Sequence, residues 1–584
     1  MEKQDLESGK KLVPDTGVAN SKDIEVKFVP PDPRNGDAKV DIENLKCVFT
    51  GMGKEELMKY ADDPFWVRLR WFLFILFWAI WIAMLVGAIG IIAYAPKCSS
   101  VTKSEWELSP IFKINVRTYG NGKLKDLESK LDYIKSLGVS NLVLSSVFKS
   151  TSKVEAADYV EDFESVDPSV GTPADFDALL KAAKDKGLKV QLALVPNHSS
   201  NKHPFFEKSV KREGSFADYY VWRPQNGSNS AGDPQPPNNQ LSVNGGSAWT
   251  WNDARKEFYF HQFKADQPDF NFGYPGIVEY FKSVFGLWSA KGVSGFSLEK
   301  VQYLITDPGF SSDSSKITGT DLLTLKSPQL VNILQSWEKN VSNYSGVLTV
   351  DGLISKSGNT VTLVSRPPAL NDIFTAADLH EVVDSYLSHS SWPVWQFSCT
   401  KSAKLEECWK PDVKNALQMV SILLPGTPII NAGDELSGGL IRPEHGLPVT
   451  VSDTTPPPAV SNGSPKLVEA GSSTKQILQK LIEIRSLPAF AQGISEAKVL
   501  HQDSLFAFTR IKRGSLSFLV AFNPADETVF ADFSEMKSIP SNLTVEVWSR
   551  PLSPFPIKLS DTLRSDAVII PPETAVLVSF MPQV

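Results

Sequence analysis

Apolar and polar positions follow different rhythms along this chain, and each change of rhythm predicts a different kind of element. Residues 1–48 are polar, contain Pro30-Pro31-Asp32-Pro33 and show little apolar periodicity, which predicts a disordered tail. From Phe49 to Arg70 the pattern tightens, with helical character over Lys54 to Tyr60. Pro64 predicts a break there, so that residues 49–70 form an amphipathic juxtamembrane segment lying at a membrane surface. Trp71 to Tyr94 holds no charged residue. At ~1.5 Å per residue a helix of this stretch reaches roughly 36 Å, enough to cross a ~30 Å hydrocarbon core with some tilt. Trp and Tyr at its ends suit the two interfaces. A buried soluble helix does not stay apolar on every face for this long. A cleaved signal peptide does not begin after 70 polar residues. The stretch therefore reads as a signal-anchor span, followed by a linker over residues 95–105.

From Trp106 onward strands and helices alternate. Strands are expected at Ile111 to Val116, Asn141 to Val147, Val190 to Val195, Val293 to Leu298, Gly346 to Val350, Val394 to Ser398 and Pro428 to Asn431. Leu124 to Leu137 carries Leu127, Leu131, Ile134 and Leu137 at helical spacing, and Pro173 to Lys186 follows Thr172 as an N-cap. Further helices are expected at Gly276 to Ala290, 328–340, Pro411 to Leu424 and Lys475 to Arg485. The count is close to eight β/α units, so residues 106–488 are expected to form a (β/α)8 barrel, an α/β fold. Residues about 199–262 break the alternation with Asn, Gly, Pro, Ser and aromatics, which predicts a small inserted subdomain or lid. After Ala489 the texture becomes short alternating strands, at Leu505 to Thr509, Leu516 to Phe522, Thr544 to Trp548 and Ala575 to Phe580. Residues 489–584 are expected to form an antiparallel β-sandwich.

The formal net charge of -7, without a strongly basic block, excludes a nucleic-acid partner. Acceptor sequons occur at Asn197, Asn226, Asn340, Asn343, Asn462 and Asn542, and none precedes the span. Arg68 and Arg70 flank the span on one side against Lys97 on the other. Both asymmetries orient the chain as a single-pass type II membrane protein, N-terminus in the cytosol and ectodomain outside. Cys47 then sits in a reducing compartment, and Cys98, Cys399 and Cys408 in an oxidising one. Cys399 and Cys408 are close enough in sequence for a local bridge. Cys98, a few residues beyond the bilayer, is a free or palmitoylated thiol or else a partner in an intermolecular disulfide. No Cys-x-x-Cys spacing occurs, and neither a metal nor a cofactor is expected.

Several motifs together resemble the α-amylase-type glycoside hydrolases, along nearly all of residues 106–584. They are Val166-Asp167-Pro168 with Gly171-Thr172, Val195-Pro196-Asn197-His198, Gln267-Pro268-Asp269-Phe270-Asn271, and Leu424-Pro425-Gly426-Thr427-Pro428 with Gly433-Asp434-Glu435. That family's retaining chemistry uses two carboxyl groups at the scissile bond, with a third acid and an Arg beside the nucleophile. Against its pattern, Ala193 stands where the third-strand Asp is expected and Ser297 where the Arg is expected. Glu299 stands at the nucleophile position, one methylene longer than Asp. Gly352 falls at the acid/base position, with Asp351 beside it, and Ser398-Cys399-Thr400 replaces the seventh-strand Asn-His-Asp. A nucleophile displaced by more than ~1 Å can cost ~10²-fold or more. The resemblance therefore implies a catalytically silent barrel, in which His198 is a packing residue.

The N-terminal motifs Phe49-Thr50-Gly51, Lys54-Glu55-Glu56-Leu57, Trp66-Val67-Arg68, Arg70-Trp71 and Ala95-Pro96-Lys97-Cys98 resemble the heavy-chain subunit of heteromeric amino-acid transporters. The resemblance implies an ancillary subunit that binds a multi-spanning light-chain transporter through a disulfide at Cys98, brings it to the plasma membrane and steadies it. Ala79, Ala83, Gly87, Ala88 and Gly90 offer small surfaces for close helix packing in the lipid bilayer. Members of that family also contact integrins, which adds an adhesion role. The competing expectations are an adhesion receptor without a transporter, and a weakly active membrane-anchored α-glucosidase using Glu299.

Overall fold

The computed structural model describes residues 54–94, 103, 105–152, 156–305, 327–350, 370, 374–389, 392–397, 409–435, 474–550 and 561–583. Cys47, Cys98, Gly352, Cys399, Thr400, Cys408 and Asn462 lie outside the described residues. The chain divides into two compact units, Met1–Ser99 and Ser100–Val584.

In the first unit a short helix α1 (Lys54–Lys59) precedes a long helix α2 (Pro64–Tyr94). The break expected at Pro64 lies immediately before it, at Tyr60–Asp63 between the two helices. Pro64 opens the second helix, so residues 64–70 continue into the apolar stretch as one rod of 31 residues, ~46 Å long. The reason lies in position: at the first helical residue a proline forfeits only an N–H that has no intrahelical acceptor anyway. Asp63 caps the start by accepting from Phe65 N at 2.8 Å. Arg70 reaches back to donate to Ala61 O at 2.6 Å and Tyr60 O at 3.2 Å, which closes the turn between the helices. Trp71, Phe74, Trp78 and Trp81 form an edge-to-face ladder up one side of α2.

The second unit begins with α3 (Glu105–Leu108), β1 (Ile111–Asn115), α4 (Leu124–Ser129), α5 (Leu131–Ser136), β2 (Asn141–Ser145), β3 (Phe148–Ser150) and β4 (Val160–Val166). It continues with α6 (Pro173–Asp185), β5 (Lys189–Leu194), α7 (Pro204–Val210), β6 (Trp222–Arg223), β7 (Trp249–Asn252), β8 (Glu257–Phe260), α8 (Pro275–Ala290) and β9 (Gly295–Leu298). Then come α9 (Pro328–Ser342), β10 (Val347–Val350), α10 (Ala376–His389), β11 (Val394–Trp395), α11 (Pro411–Leu423), β12 (Thr427–Asn431), α12 (Thr474–Arg485) and α13 (Pro488–Gln492). The remaining strands are β13 (Ala497–Leu500), β14 (Leu505–Arg510), β15 (Ser517–Asn523), β16 (Val529–Ala531), β17 (Asn542–Trp548), β18 (Thr562–Arg564), β19 (Val568–Ile570) and β20 (Thr574–Phe580).

Seven strands form one parallel sheet in the order β10-β9-β5-β2-β1-β12-β11. This is strand order 5-4-3-2-1-8-7 of an eight-strand barrel, and the interval for the sixth strand falls between β10 and β11, mostly outside the described residues. Strand alternation sends Phe112, Leu142, Leu192 and Phe296 outward to pack on the helices, while Ile111, Val143, Ala193, Val394 and Ile429 meet inside. Thr172 and Asp175 cap α6 reciprocally, Asp175 N donating to Thr172 Oγ1 at 3.2 Å and Thr172 N to Asp175 Oδ2 at 2.9 Å. The single helix expected over Leu124 to Leu137 is two, because the backbone at Lys130 departs from helical geometry at φ -98°, ψ 1°.

The insert carries its own three-stranded antiparallel sheet, β6-β8-β7, over a small core of Val221, Ala248, Trp249, Phe258 and Phe260. At the C-terminus, β13-β14-β15-β20-β17-β18 form an antiparallel sheet, and β16 pairs with β19 beside it. One face of the large sheet, through Phe506, Phe508, Phe518 and Phe522, belongs to the same core as the barrel helices. The other face, through Leu505, Leu519, Val545 and Val578, closes on Phe533, Val568 and Ile570.

Candidate functional site

In a barrel of this kind the reacting groups stand at the carboxyl ends of the strands. At that end of β5, Ala193 is 3% exposed and directly opposite Ser297 of β9, which in turn lies opposite Thr349 of β10. These positions put a methyl and two hydroxyls where charged chemistry would have to occur. The next inward residue on the β9 line is Glu299, whose backbone N–H donates to Leu194 O at 3.0 Å. Its carboxylate accepts from Lys113 Nζ at 2.6 Å, an ion pair whose side chains are 19% and 21% exposed. Lys113 comes from β1, where it stands opposite Val143 on one side and Asn431 on the other. Asn431 is itself held by Gln396 Nε2 at 3.0 Å and bonds Asp434 Oδ2 at 3.1 Å. Of the motif positions, Ala193, Ser297 and Glu299 are thus brought to one mouth. Lys113, the partner of Glu299, was not among the residues singled out from sequence.

A second polar cluster ties the insert to the barrel. His198 is fully buried, its Nδ1 2.9 Å from Asn197 Oδ1 and its Nε2 3.0 Å from Asp158 O. Burial, and then the nearby Lys300 ammonium, push its pKa down to about 3, so it is a neutral packing residue as expected. Asn197 Nδ2 donates to Tyr303 O at 2.6 Å and lies 3.4 Å from Asp269 Oδ2. Gln262 Nε2 donates to Asp269 Oδ2 at 2.6 Å and to Tyr303 O at 2.7 Å. Burial raises the Asp269 carboxyl to about 7 in spite of the Gln262 and Asn197 hydrogen bonds. Lys300 follows Glu299 in the left-handed region at φ 58°, so its ammonium turns to Asp158 and lies 4.4 Å from the Phe263 ring centroid.

Within the cluster Asn197 is 1% exposed and its amide nitrogen is committed to Tyr303 O. Among the described residues no group of His, Cys, Asp and Glu side chains is arranged to hold a metal ion. Asp167 of the Val-Asp-Pro motif is likewise structural: Arg117 Nη2 lies 2.5 Å from its Oδ2. Burial alone would raise its carboxyl, but hydrogen bonds from Ser169 and Ser150 and the Arg117 charge hold it below the usual range.

Comparison with known proteins matches both units. The profile described as "Alpha amylase, catalytic domain" covers residues 103–372, and that described as "Solute carrier family 3 member 2 N-terminus" covers residues 37–112. The amino acid transporter heavy chain SLC3A1 of Mus musculus is 32% identical over 440 residues, 68% of this chain and 63% of the relative. The match thus spans a little under two thirds of that relative's length. Maltase 1 of Drosophila virilis is 27% identical over 551 residues, 78% of this chain and 85% of the maltase. The structure of the alpha-glucosyl transfer enzyme XgtA shares the fold with a TM-score of 0.63 at 21% identity, covering 82% of this chain and 99% of that one. Among the described residues, α2 is the one helix long and apolar enough to cross a membrane. An SLC3-type N-terminal profile thus runs directly into an α-amylase-type profile, and over that stretch the chain is similar to the amino acid transporter heavy chains SLC3A1.

Proposed function

We propose that this chain is the ancillary heavy chain of a heteromeric amino-acid transporter, anchored with its N-terminus in the cytosol and its ectodomain outside the plasma membrane. It binds a multi-spanning light chain through a disulfide at Cys98 and through packing of α2 in the lipid. It carries that light chain to the surface and stabilises it, and integrin contact is a further role. The ectodomain is catalytically silent, and Cys399 and Cys408 bridge locally. The observation that supports this reading is the mouth of the barrel: Ala193 and Ser297 offer no charge, and the carboxylate of Glu299 is occupied by Lys113. Electrophoresis of the membrane-embedded protein with and without reductant tests it, for wild type and Cys98→Ser. A larger species is expected that collapses on reduction and is missing in the variant, and mass spectrometry of that band names the light chain. A monomer in both lanes sinks the covalent link.

One observation favours a second reading: a carboxylate, Glu299, persists at the nucleophile position. If the chain were an α-glucosidase, it would hydrolyse a chromogenic α-glucoside and lose that activity in Glu299→Gln. No hydrolysis above the uncatalysed rate is expected.

A further inference from the structure

The sequons are equivalent as triplets, but the fold makes them unequal. N-glycosylation joins the side-chain nitrogen of Asn to C1 of an N-acetylglucosamine. The C1–O bond to a lipid pyrophosphate breaks, and one amide proton is lost. Transfer acts on chain that is not yet folded, so a glycan must be compatible with the structure that forms afterwards.

Asn197 fails that requirement. Its nitrogen is the atom that donates to Tyr303 O at 2.6 Å, inside the network that closes the insert onto β9. Asn340 and Asn343 stand one turn apart at the C-terminal end of α9, where Trp337 and Val341 are buried. Asn340 shares part of that burial, its Oδ1 shut off from solvent, whereas Asn343 is the exposed C-cap residue at φ -59°. Asn226 is exposed in the insert, between β6 and β7, with its backbone N–H held by Gln235 O at 2.9 Å. Asn542 is exposed at the first position of β17, opposite Arg564 of the edge strand β18.

We infer that Asn226, Asn343 and Asn542 carry N-linked oligosaccharide, and that Asn197 and Asn340 do not. This rests on the orientation proposed above. The two barrel sites fall at opposite ends of the strands. Asn226 belongs to the insert that follows β5 at the carboxyl end, and Asn343 lies in the turn that enters β10 at the amino end. A partner protein therefore docks on surface that avoids both these positions and the start of β17.

The test is site occupancy in the full-length chain made in eukaryotic cells and recovered from the cell surface. Enzymatic removal of the glycans in H₂¹⁸O converts each occupied Asn to labelled Asp, which mass spectrometry reads residue by residue. Label at Asn226, Asn343 and Asn542 is expected. Asn226→Gln, Asn343→Gln and Asn542→Gln should each remove one discrete step in gel mobility. Label at Asn197 or Asn340, or unlabelled Asn at any of the three, overturns the assignment. Label at Asn462 alone overturns it while leaving the ectodomain outside. No label anywhere overturns both the assignment and the orientation.

Discussion

Lys113 and Glu299 stand 186 residues apart in sequence and meet at 2.6 Å inside the barrel mouth, joining its first strand to the end of its fourth. Each neutralises the other where neither has full access to water. Removing one partner leaves a charge that is partly desolvated and has lost this ion pair, and that loss exceeds the modest net value of the pair. Lys113→Gln and Glu299→Gln should each destabilise the solubilised full chain by ~1–2 kcal/mol, a range set by one-fifth exposure and by screening. The double variant should cost less than the sum of the two, with a coupling of about 1 kcal/mol in a denaturant double-mutant cycle. Additive costs would show that the pair carries no interaction energy.

Glu435 of the Gly433-Asp434-Glu435 motif is fully buried and accepts from Gly433 N at 2.7 Å. Burial raises its carboxyl to about 7. A folded pKa above the ordinary value of 4.5 means that the folded chain holds a proton which the unfolded chain has released. The stabilisation is complete below about pH 4.5 and is lost as pH rises through 7, with Asp269 acting in the same direction. Stability should fall between pH 5 and pH 8, and Glu435→Gln, which mimics the protonated acid, should flatten that slope by an amount on the order of a few kcal/mol. An unchanged slope in the variant would place the titration elsewhere.

Arg485 ends α12 and is buried among backbone carbonyls. Its guanidinium donates to Ile422 O at 2.6 Å, Leu108 O at 3.0 Å, Leu424 O at 3.3 Å and to Gly426 O. The carbonyls of Ile422, Leu424 and Gly426 lie at and just beyond the C-terminus of α11, and that of Leu108 ends α3; a helix C-terminus favours a cation. Burial lowers its pKa to about 9, so it stays charged at neutral pH. Arg485→Met should cost ~3 kcal/mol or more by stranding those carbonyls. Arg485→Lys should recover only part of it, because an ammonium cannot fork between them. Thermal melts of the two variants beside wild type give the ranking.

What was legible in the sequence is what local spacing encodes. Thr172, Pro173 and Asp175 announce the start of α6 by residue type alone, and the strands β5 and β9 read as buried apolar runs. One local reading was incomplete and one misled. Pro64 carries its usual penalty only inside a helix, and its place as the first residue cannot be seen without knowing where the helix starts. The apolar spacing continues unbroken across Lys130, although the backbone does not. The polar clusters were beyond local pattern altogether. Nothing near Lys113 names Glu299, and nothing in the triplet at Asn197 shows that Gln262, Asp269 and Tyr303 enclose it.

The strand order of the C-terminal sheet bears on how the chain is made. β20 is the last of its strands to be synthesised, yet it lies between β15 and β17, with seven residues in register against β15. While the ribosome has not released residues 574–580, β15 and β17 have no neighbour in common, and the phenylalanine face that finishes the barrel core has no complete sheet behind it. Completion of this layer, and of the core it shares with the barrel, is therefore a late event in synthesis. A premature stop before Thr574 does not trim an edge but removes the middle of a layer. Such products should fail to fold and be degraded, with no partially functional form accumulating.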